Sequence, residues 1–303
     1  MFKFTKEQAI FEIGGVKIGG QPGELPTALI GSMFYHGHKM VSDEKEGIFD
    51  KKIAEELLNK EQETSAKTGN PGIIDIVGAF PNAIIKYIDF VAGMTKTPFV
   101  VDGTTSSVRI AAVKHLKEVG LVDRAIYNSI IPEIKEEELT AMKEGGVKCA
   151  ILLTYNPKKP TIEGRMDVLR GPKGLVSIAK EIGVDKPIVD ATILGVGDPG
   201  PVGKAIYLEK NEFGLPGGCG AHNAVDTWHK TKKLDPETYK ISSIVANITP
   251  IIMGANFMLY GPVKNAPEMF PPIALADAYV AYSMRQEYGI KPLTREHPLF
   301  KIF

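Results

Sequence analysis

A (β/α)8 TIM barrel is the fold class that this 303-residue chain predicts, and three observations carry it. Short apolar runs alternate with helical stretches from about residue 25 onward, the pattern of parallel strands joined by right-handed crossovers. The runs number eight, which is the count that closes a barrel. Several, such as CAILL, are continuously apolar, as a sheet covered on both faces requires. An open doubly wound sheet is the competing architecture.

The elements follow in order. AIFEIGGVKIGG alternates and turns at Gly14–Gly15, so residues 9–20 are expected to form a β-hairpin capping the bottom of the barrel. Ala28–Phe34 is the first strand. Lys51–Lys67 is a charged helix with Ile53, Leu57 and Leu58 on one face. Ile73–Val77 is the second strand, and Pro81 opens a helix through Met94 at a first-turn position that tolerates proline. Phe99–Asp102 is the third strand, followed by a helix over Thr105–Val119 closed by Gly120. Ala125–Asn128 is the fourth. Lys135–Lys143 is a helix that Gly145–Gly146 breaks, and Val147–Thr154 is the fifth strand. A helix over Gly174–Glu181, stopped by Gly183, precedes the sixth strand, Ile188–Ala191. The loop GVGDPGPVGK leads into a helix at Ala205–Glu209. Gly214–Gly218 is placed as the seventh strand by its position. Asn223–Lys230 and Glu237–Asn247 are helices, Ile251–Met258 the eighth strand, and Ile273–Tyr288 a final helix with Ala276, Tyr279, Val280 and Ser283 on one stripe. One domain over residues 1–303 results, with 1–25 as the hairpin segment and 264–303 as a helical extension.

Composition narrows the function. With 36 Lys+Arg against 36 Asp+Glu the formal charge is zero, which argues against a nucleic-acid binder needing a basic face. The only cysteines, Cys149 and Cys219, make no disulfide framework. The first ten residues hold no apolar signal core, so a cytoplasmic protein is expected. Ile241–Val263 carries no charge, but polar residues interrupt it and Asn247–Pro250 divides it. A buried helix end followed by a buried strand fits better than a span of about 20 apolar residues.

Chemistry in such a barrel belongs to the C-terminal ends of the strands. Short acids and amides gather there: Asp75, Asp102, Asn128, Asp190 and, near the last strand, Asn256. Each alone is an ordinary turn residue. Together, Asp102, Asn128 and Asp190 suit a neutral, flat, nitrogen-rich ligand, because carboxylates accept two parallel bonds from an N–H/NH2 edge while an amide donates and accepts. His36 and His38 form a His-x-His pair that in barrel hydrolases holds a metal, yet no histidine follows strands five or six to complete it. Cys219 and His222 form a C-x-x-H half-site lacking a second pair. GDPGPVGKA fails as a phosphate loop, since Asp198 stands where a glycine belongs and Ala205 follows the lysine.

FEIGGVKIGGQPGE, GSMFYHGHK, KTGNPGI, VDGTTSSVRIAA, IYNSI, VDATILGVGDPG and LPGGCGAHNA are long and unusual motifs spread over nearly the whole chain. They resemble the MtrH family of tetrahydromethanopterin S-methyltransferase, which is similar to the pterin-binding barrels of corrinoid-dependent methyltransferases and dihydropteroate synthase. The resemblance implies transfer of the N5-methyl group of methyl-tetrahydromethanopterin to the cob(I)amide of a corrinoid-carrying partner subunit, inside a complex that methylates coenzyme M and pumps sodium. It implies that Asp102, Asn128 and Asp190 hold the pterin, that Asn223 approaches N5, and that Asp75 is a further candidate. It also implies a homodimer, a place on the cytoplasmic face of a membrane complex, and no bound metal. The chain has no D-x-H-x-x-G corrinoid motif, so the corrinoid must come from a partner docking at the barrel mouth. Two alternatives are a soluble methyltransferase loading tetrahydrofolate or tetrahydromethanopterin, and a metal-dependent hydrolase built on His36 and His38.

Overall fold

The computed structural model describes residues 1–303. The chain opens with an antiparallel hairpin, β1 (Ile10–Ile13) and β2 (Val16–Gly19). Gly14 and Gly15 form its turn with φ of 50° and 83°, the backbone that a two-residue hairpin turn demands. The first barrel strand is β3 (Ala28–Met33). A small hairpin, β4 (Val41–Asp43) and β5 (Ile48–Phe49), precedes α1 (Lys51–Thr68). There follow β6 (Gly72–Gly78), α2 (Pro81–Met94), β7 (Phe99–Gly103), α3 (Ser106–Glu118), β8 (Ala125–Ile130), α4 (Glu136–Gly145) and β9 (Cys149–Leu153). Two helices, α5 (Ile162–Leu169) and α6 (Leu175–Glu181), lead to β10 (Lys186–Asp190). Then come α7 (Pro199–Phe213), β11 (Gly217–Cys219), α8 (His222–Lys232), α9 (Pro236–Ile252), β12 (Phe257–Pro262), α10 (Ala266–Tyr288) and α11 (Pro298–Ile302).

Strands β3, β6, β7, β8, β9, β10, β11 and β12 close into one parallel barrel in that order, β12 returning to β3. Ile13 and Ile18 of the hairpin pack with Ala28, Ile30, Val100, Ile126, Ile151 and Phe257. The hairpin therefore plugs the N-terminal end and completes an apolar floor inside the barrel. Alternate strand residues face outward onto the helices: Ile74, Ile76, Phe99 and Val101 meet α1, α2 and α3, while Cys219, Met258 and Tyr260 meet α7 to α10.

Several expectations change, among them the final helix, which begins at Ala266, and the seventh strand, which is Gly217–Cys219. The eighth strand begins at Phe257, and Ile251–Ile252 belong to α9, which runs through Pro250. The face carrying Ala246, Asn247, Pro250 and Ile251 is buried, and that burial offsets the one helix bond proline removes. The GVGDPGPVGK segment is already helical from Pro199, because proline suits a first turn. Along α1 the buried side chains are Ala54, Leu58, Glu61 and Thr64, whereas Ile53 is exposed; two polar residues on the inner face hide the true stripe. Finally, β4, β5, α5 and α11 are short elements whose apolar pattern is too brief to announce them.

Candidate active site in the barrel mouth

Strand alternation builds the site. Ile73, Val100, Ile126 and Ile188 belong to the interior floor, and two residues further along the same strands stand Asp75, Asp102, Asn128 and Asp190. All four therefore face the inside of the barrel at its C-terminal end. In register, Asp102 lies directly beside Asn128, and beside Val77 on its other flank. Asp75 pairs with Val100 and Ser32, one step deeper. Asp190 lies between Leu153 of β9 and Gly218 of β11.

Asp75 and Asp190 are buried, Asp102 is half-buried, and none of the three forms an ion pair. Burial pushes the Asp102 carboxyl up to about 6, with the nearby Arg109 charge pulling the other way. Asp75 lies well above the carboxylate range, through burial and then the neighbouring Asp102 charge, and its Oδ1 has no hydrogen-bond partner. Burial pushes Asp190 up to about 6, opposed by the Thr192 N–H, which donates to Oδ1 at 2.7 Å, and by the Arg165 charge. Buried acceptors left open cost free energy that a bound donor edge would recover.

Asn223 sits in the first turn of α8, exposed at the rim, with Nδ2 3.5 Å from the carbonyl of Ile193. It thus joins the mouth from the β11 side, next to the loop after Asp190. Asn256 does not: it precedes β12, at the opposite end, where it bonds Gly19 and Lys210. The misplacement follows from starting the eighth strand too early.

The other motifs disperse. His36 is exposed and pairs with Glu44, whereas the buried His38 takes the Phe34 N–H on Nδ1 at 3.1 Å and stacks on Tyr35. Cys219 faces the outer helix layer, and burial raises its thiol pKa. His222 lies against the Leu259 carbonyl at 3.4 Å. No group of three or more His, Cys, Asp or Glu side chains is arranged to hold a metal ion.

Several residues with no sequence signal support the mouth. Arg165, buried on α5, donates to the carbonyls of Ala191 at 2.9 Å and Thr192 at 3.1 Å, fixing the turn that follows Asp190. Arg109 donates to the Gly103 carbonyl at 2.7 Å and grips Glu138, which also receives the Tyr127 hydroxyl. Thr154 and Glu209 lie behind β10. A surface cavity of about 860 Å3 between α8, α9 and the start of α10 is lined by none of these mouth residues.

A closed parallel barrel with acids and an amide directed into its C-terminal mouth defines a (β/α)8 barrel with a candidate site at the end where such barrels carry their chemistry. Solved barrels of that kind superpose on it. Dihydropteroate synthase from Yersinia pestis gives a TM-score of 0.61 at 14% identity, covering 89% of this chain and 98% of that one. The Xanthomonas albilineans enzyme, solved with 7,8-dihydropteroate, gives 0.58 at 17% over 89% and 98%. Sequence is more specific: the family model described as Tetrahydromethanopterin S-methyltransferase MtrH subunit matches residues 6–293. The tetrahydromethanopterin S-methyltransferase H subunit from Methanothermobacter thermautotrophicus is 40% identical over 311 residues, and that from Methanosarcina barkeri 41% over 316, each covering 100% of both chains. The H subunit of a putative mtx methyltransferase of M. barkeri is 40% identical over 308 residues, 99% of each chain. The chain belongs to the MtrH family of tetrahydromethanopterin S-methyltransferase and is a methyltransferase.

Proposed function

We propose that the chain moves the N5-methyl group of methyl-tetrahydromethanopterin to the cob(I)amide of a corrinoid-carrying partner subunit, within a sodium-translocating complex that forms methyl-coenzyme M. The observation that carries this is the set Asp75, Asp102, Asn128 and Asp190 facing one mouth, with a buried carboxylate oxygen open for a donor. A pterin's aminopyrimidinone edge supplies such donors. Asp190 and Asp102 take its N–H groups, Asn128 both donates and accepts, and Asp75 closes the floor.

The chemical difficulty lies at N5. Breaking the N5–CH3 bond returns its electron pair to a nitrogen that leaves poorly unless it gains a proton or a hydrogen bond. Asn223 at the rim is suited to donate that bond, which strengthens as charge develops, while Asp190 orients the ring. The corrinoid supplies the nucleophile. Its carrier docks over the mouth, where Phe80, Tyr155, Leu194 and Val196 expose large apolar side chains on the loops after β6, β9 and β10.

A second apolar face supports the homodimer. Ile241, Val245 and Ile252 of α9, with Leu275 and Tyr279 of α10, are exposed beside a groove of about 350 Å3. No helix is long and apolar enough to cross a membrane, so a place on a membrane complex would be peripheral. A monomeric mass at micromolar concentration would rule out the dimer.

The mtx relative and the complex subunits are similar to the chain to the same degree, so identity does not separate the complex subunit from a second reading, a soluble enzyme moving methyl groups between a methylcorrinoid protein and tetrahydromethanopterin or tetrahydrofolate. Cob(I)alamin mixed with each methyl-pterin tests the pterin, and a pull-down of partner subunits separates the complex subunit from a soluble enzyme that uses the same pterin. Loss of cob(I)alamin absorbance with methyl-tetrahydromethanopterin is expected. Loss with methyl-tetrahydrofolate alone moves the assignment to the soluble enzyme, and no loss with either overturns both.

A further inference from the structure

Behind the strand that carries Asp190 lies a second, hidden carboxyl. Glu209 of α7 is 1% exposed, and its Oε2 has no hydrogen-bond partner. Its Oε1 stands 3.2 Å from Thr154 Oγ1, and the same hydroxyl stands 3.1 Å from the carbonyl oxygen of Asp190. A threonine hydroxyl carries one proton, so it cannot serve two acceptors at once. A backbone carbonyl has no proton to give, whereas a carboxylic acid has. The Asp190 carbonyl already accepts the Thr154 N–H at 2.9 Å, and a protonated Glu209 that donates to the hydroxyl lets it donate onward to the same carbonyl. Ionised, Glu209 would draw the hydroxyl to itself and hold a charge in a dry site with Oε2 unpartnered.

We propose that Glu209 is a positioning residue that works as a neutral acid: through Thr154 it fixes the turn holding Asp190, and losing its proton weakens pterin binding. The inference rests on the assignment of Asp190 to the pterin. The surroundings support it. Thr154 faces Glu209 from β9, Asp190 from β10, Cys219 from β11 and Arg165 from α5. The buried face of α9 presents no ionisable side chain, and Lys210 beside it turns to Gly20. Burial pushes the Glu209 carboxyl up to about 8, eased by the Thr154 hydroxyl, with the Asp190 charge adding to the rise and Arg165 opposing it. A deprotonated Glu209 places a second negative charge near Asp190 and competes with it for the one guanidinium, Arg165.

Pterin affinity measured by calorimetry between about pH 6.5 and pH 9.5 tests this with the full-length protein, methyl-tetrahydromethanopterin being the ligand. Wild-type affinity should fall about tenfold as the pH rises through about 8. Glu209→Gln keeps the size and a permanent neutral donor, so it should match wild type at pH 7 and lose the alkaline fall. Thr154→Val should weaken binding at pH 7, because it removes the bridge. Constant wild-type affinity from pH 7 to pH 9 overturns the inference without any variant. An unchanged alkaline fall in Glu209→Gln does the same. Asp190→Asn keeps the failures apart: if it binds like wild type, the assignment of Asp190 fails, whereas weakened binding beside an unaltered Glu209→Gln profile sinks only the role of Glu209.

Discussion

The two ends of the barrel both bury polar side chains, but they treat them differently. At the N-terminal end Asp277 of α10 accepts the Thr27 N–H at 2.9 Å, the Thr27 hydroxyl at 2.8 Å and the Asn70 amide at 2.6 Å. The buried Lys210 donates to the Gly20 carbonyl and to Asn256 and lies 5.0 Å over the Phe4 ring, while Asn256 bonds Gly19 in turn. These bonds clamp the hairpin and the last long helix onto the barrel floor. At the C-terminal end Asp75 keeps an open oxygen, and Asp190 takes one backbone N–H on its carboxylate. Both oxygens of Asp277 are taken, whereas Asp75 keeps one open; open buried acceptors also occur on Asn70 and Glu61, so it is the position of Asp75 in the mouth that singles it out.

The sharpest way to break this contrast is at the floor. Asp277→Ala leaves the Thr27 and Asn70 donors buried without an acceptor and should cost roughly 3 kcal/mol of unfolding free energy. Pterin affinity of the folded fraction should stay near wild type. A denaturant titration and calorimetry on the same variant check both halves, and a binding defect would show that the two ends are coupled.

Next in size is Asp190→Asn at the mouth. If Asp190 holds the pterin as proposed, this removes a charge-assisted acceptor, for a loss of about 1.5–3 kcal/mol in pterin binding, or roughly ten- to a hundredfold. Its unfolding free energy should be unchanged or higher. A large drop in stability would class Asp190 with Asp277.

Asn223→Ala should act on rate. Single-turnover methyl transfer, followed by stopped-flow loss of cob(I)alamin absorbance, should slow about tenfold, with a smaller change in affinity. Equal losses in affinity with unchanged rates at saturation would make Asn223 another pterin-holding group.

The smallest effect sharpens the comparison most. The Asp75 carboxyl lies above its unfolded value, so its stability contribution is full at low pH and lost as the pH rises toward the folded value. Asp75→Asn has no charge to hide. It should therefore be more stable than wild type at neutral pH, the gap opening from about pH 4 upward. Thermal unfolding at pH 4 and pH 7 measures the gap, and an Asp75→Asn variant less stable at both values would show that this carboxyl is structural.

Much of this was legible along the chain. The count of apolar runs gave the barrel, and Gly14–Gly15 gave the hairpin turn, because strand periodicity and turn chemistry act over a few residues. The polar ends of β6, β7, β8 and β10 were visible for the same reason, since an acid two residues beyond an interior isoleucine or valine faces the same side. Asn256 was misplaced because an apolar run such as Ile251–Met258 does not say where a helix ends and a strand begins.

What the amino-acid sequence determined by itself, then, is the eight-stranded alternation, the rim that carries Asp102, Asn128 and Asp190, and the motifs that join the chain to its family. Only the tertiary structure decided that Asp75 is left open while Asp277 is saturated, that His36 and His38 turn to separate partners, and that Arg165, Thr154 and Glu209 converge behind Asp190. The reason is physical. Periodicity is a local property of neighbouring residues, whereas desolvation and pairing depend on which elements meet in space, and Thr154 meets Glu209 across 55 positions of chain.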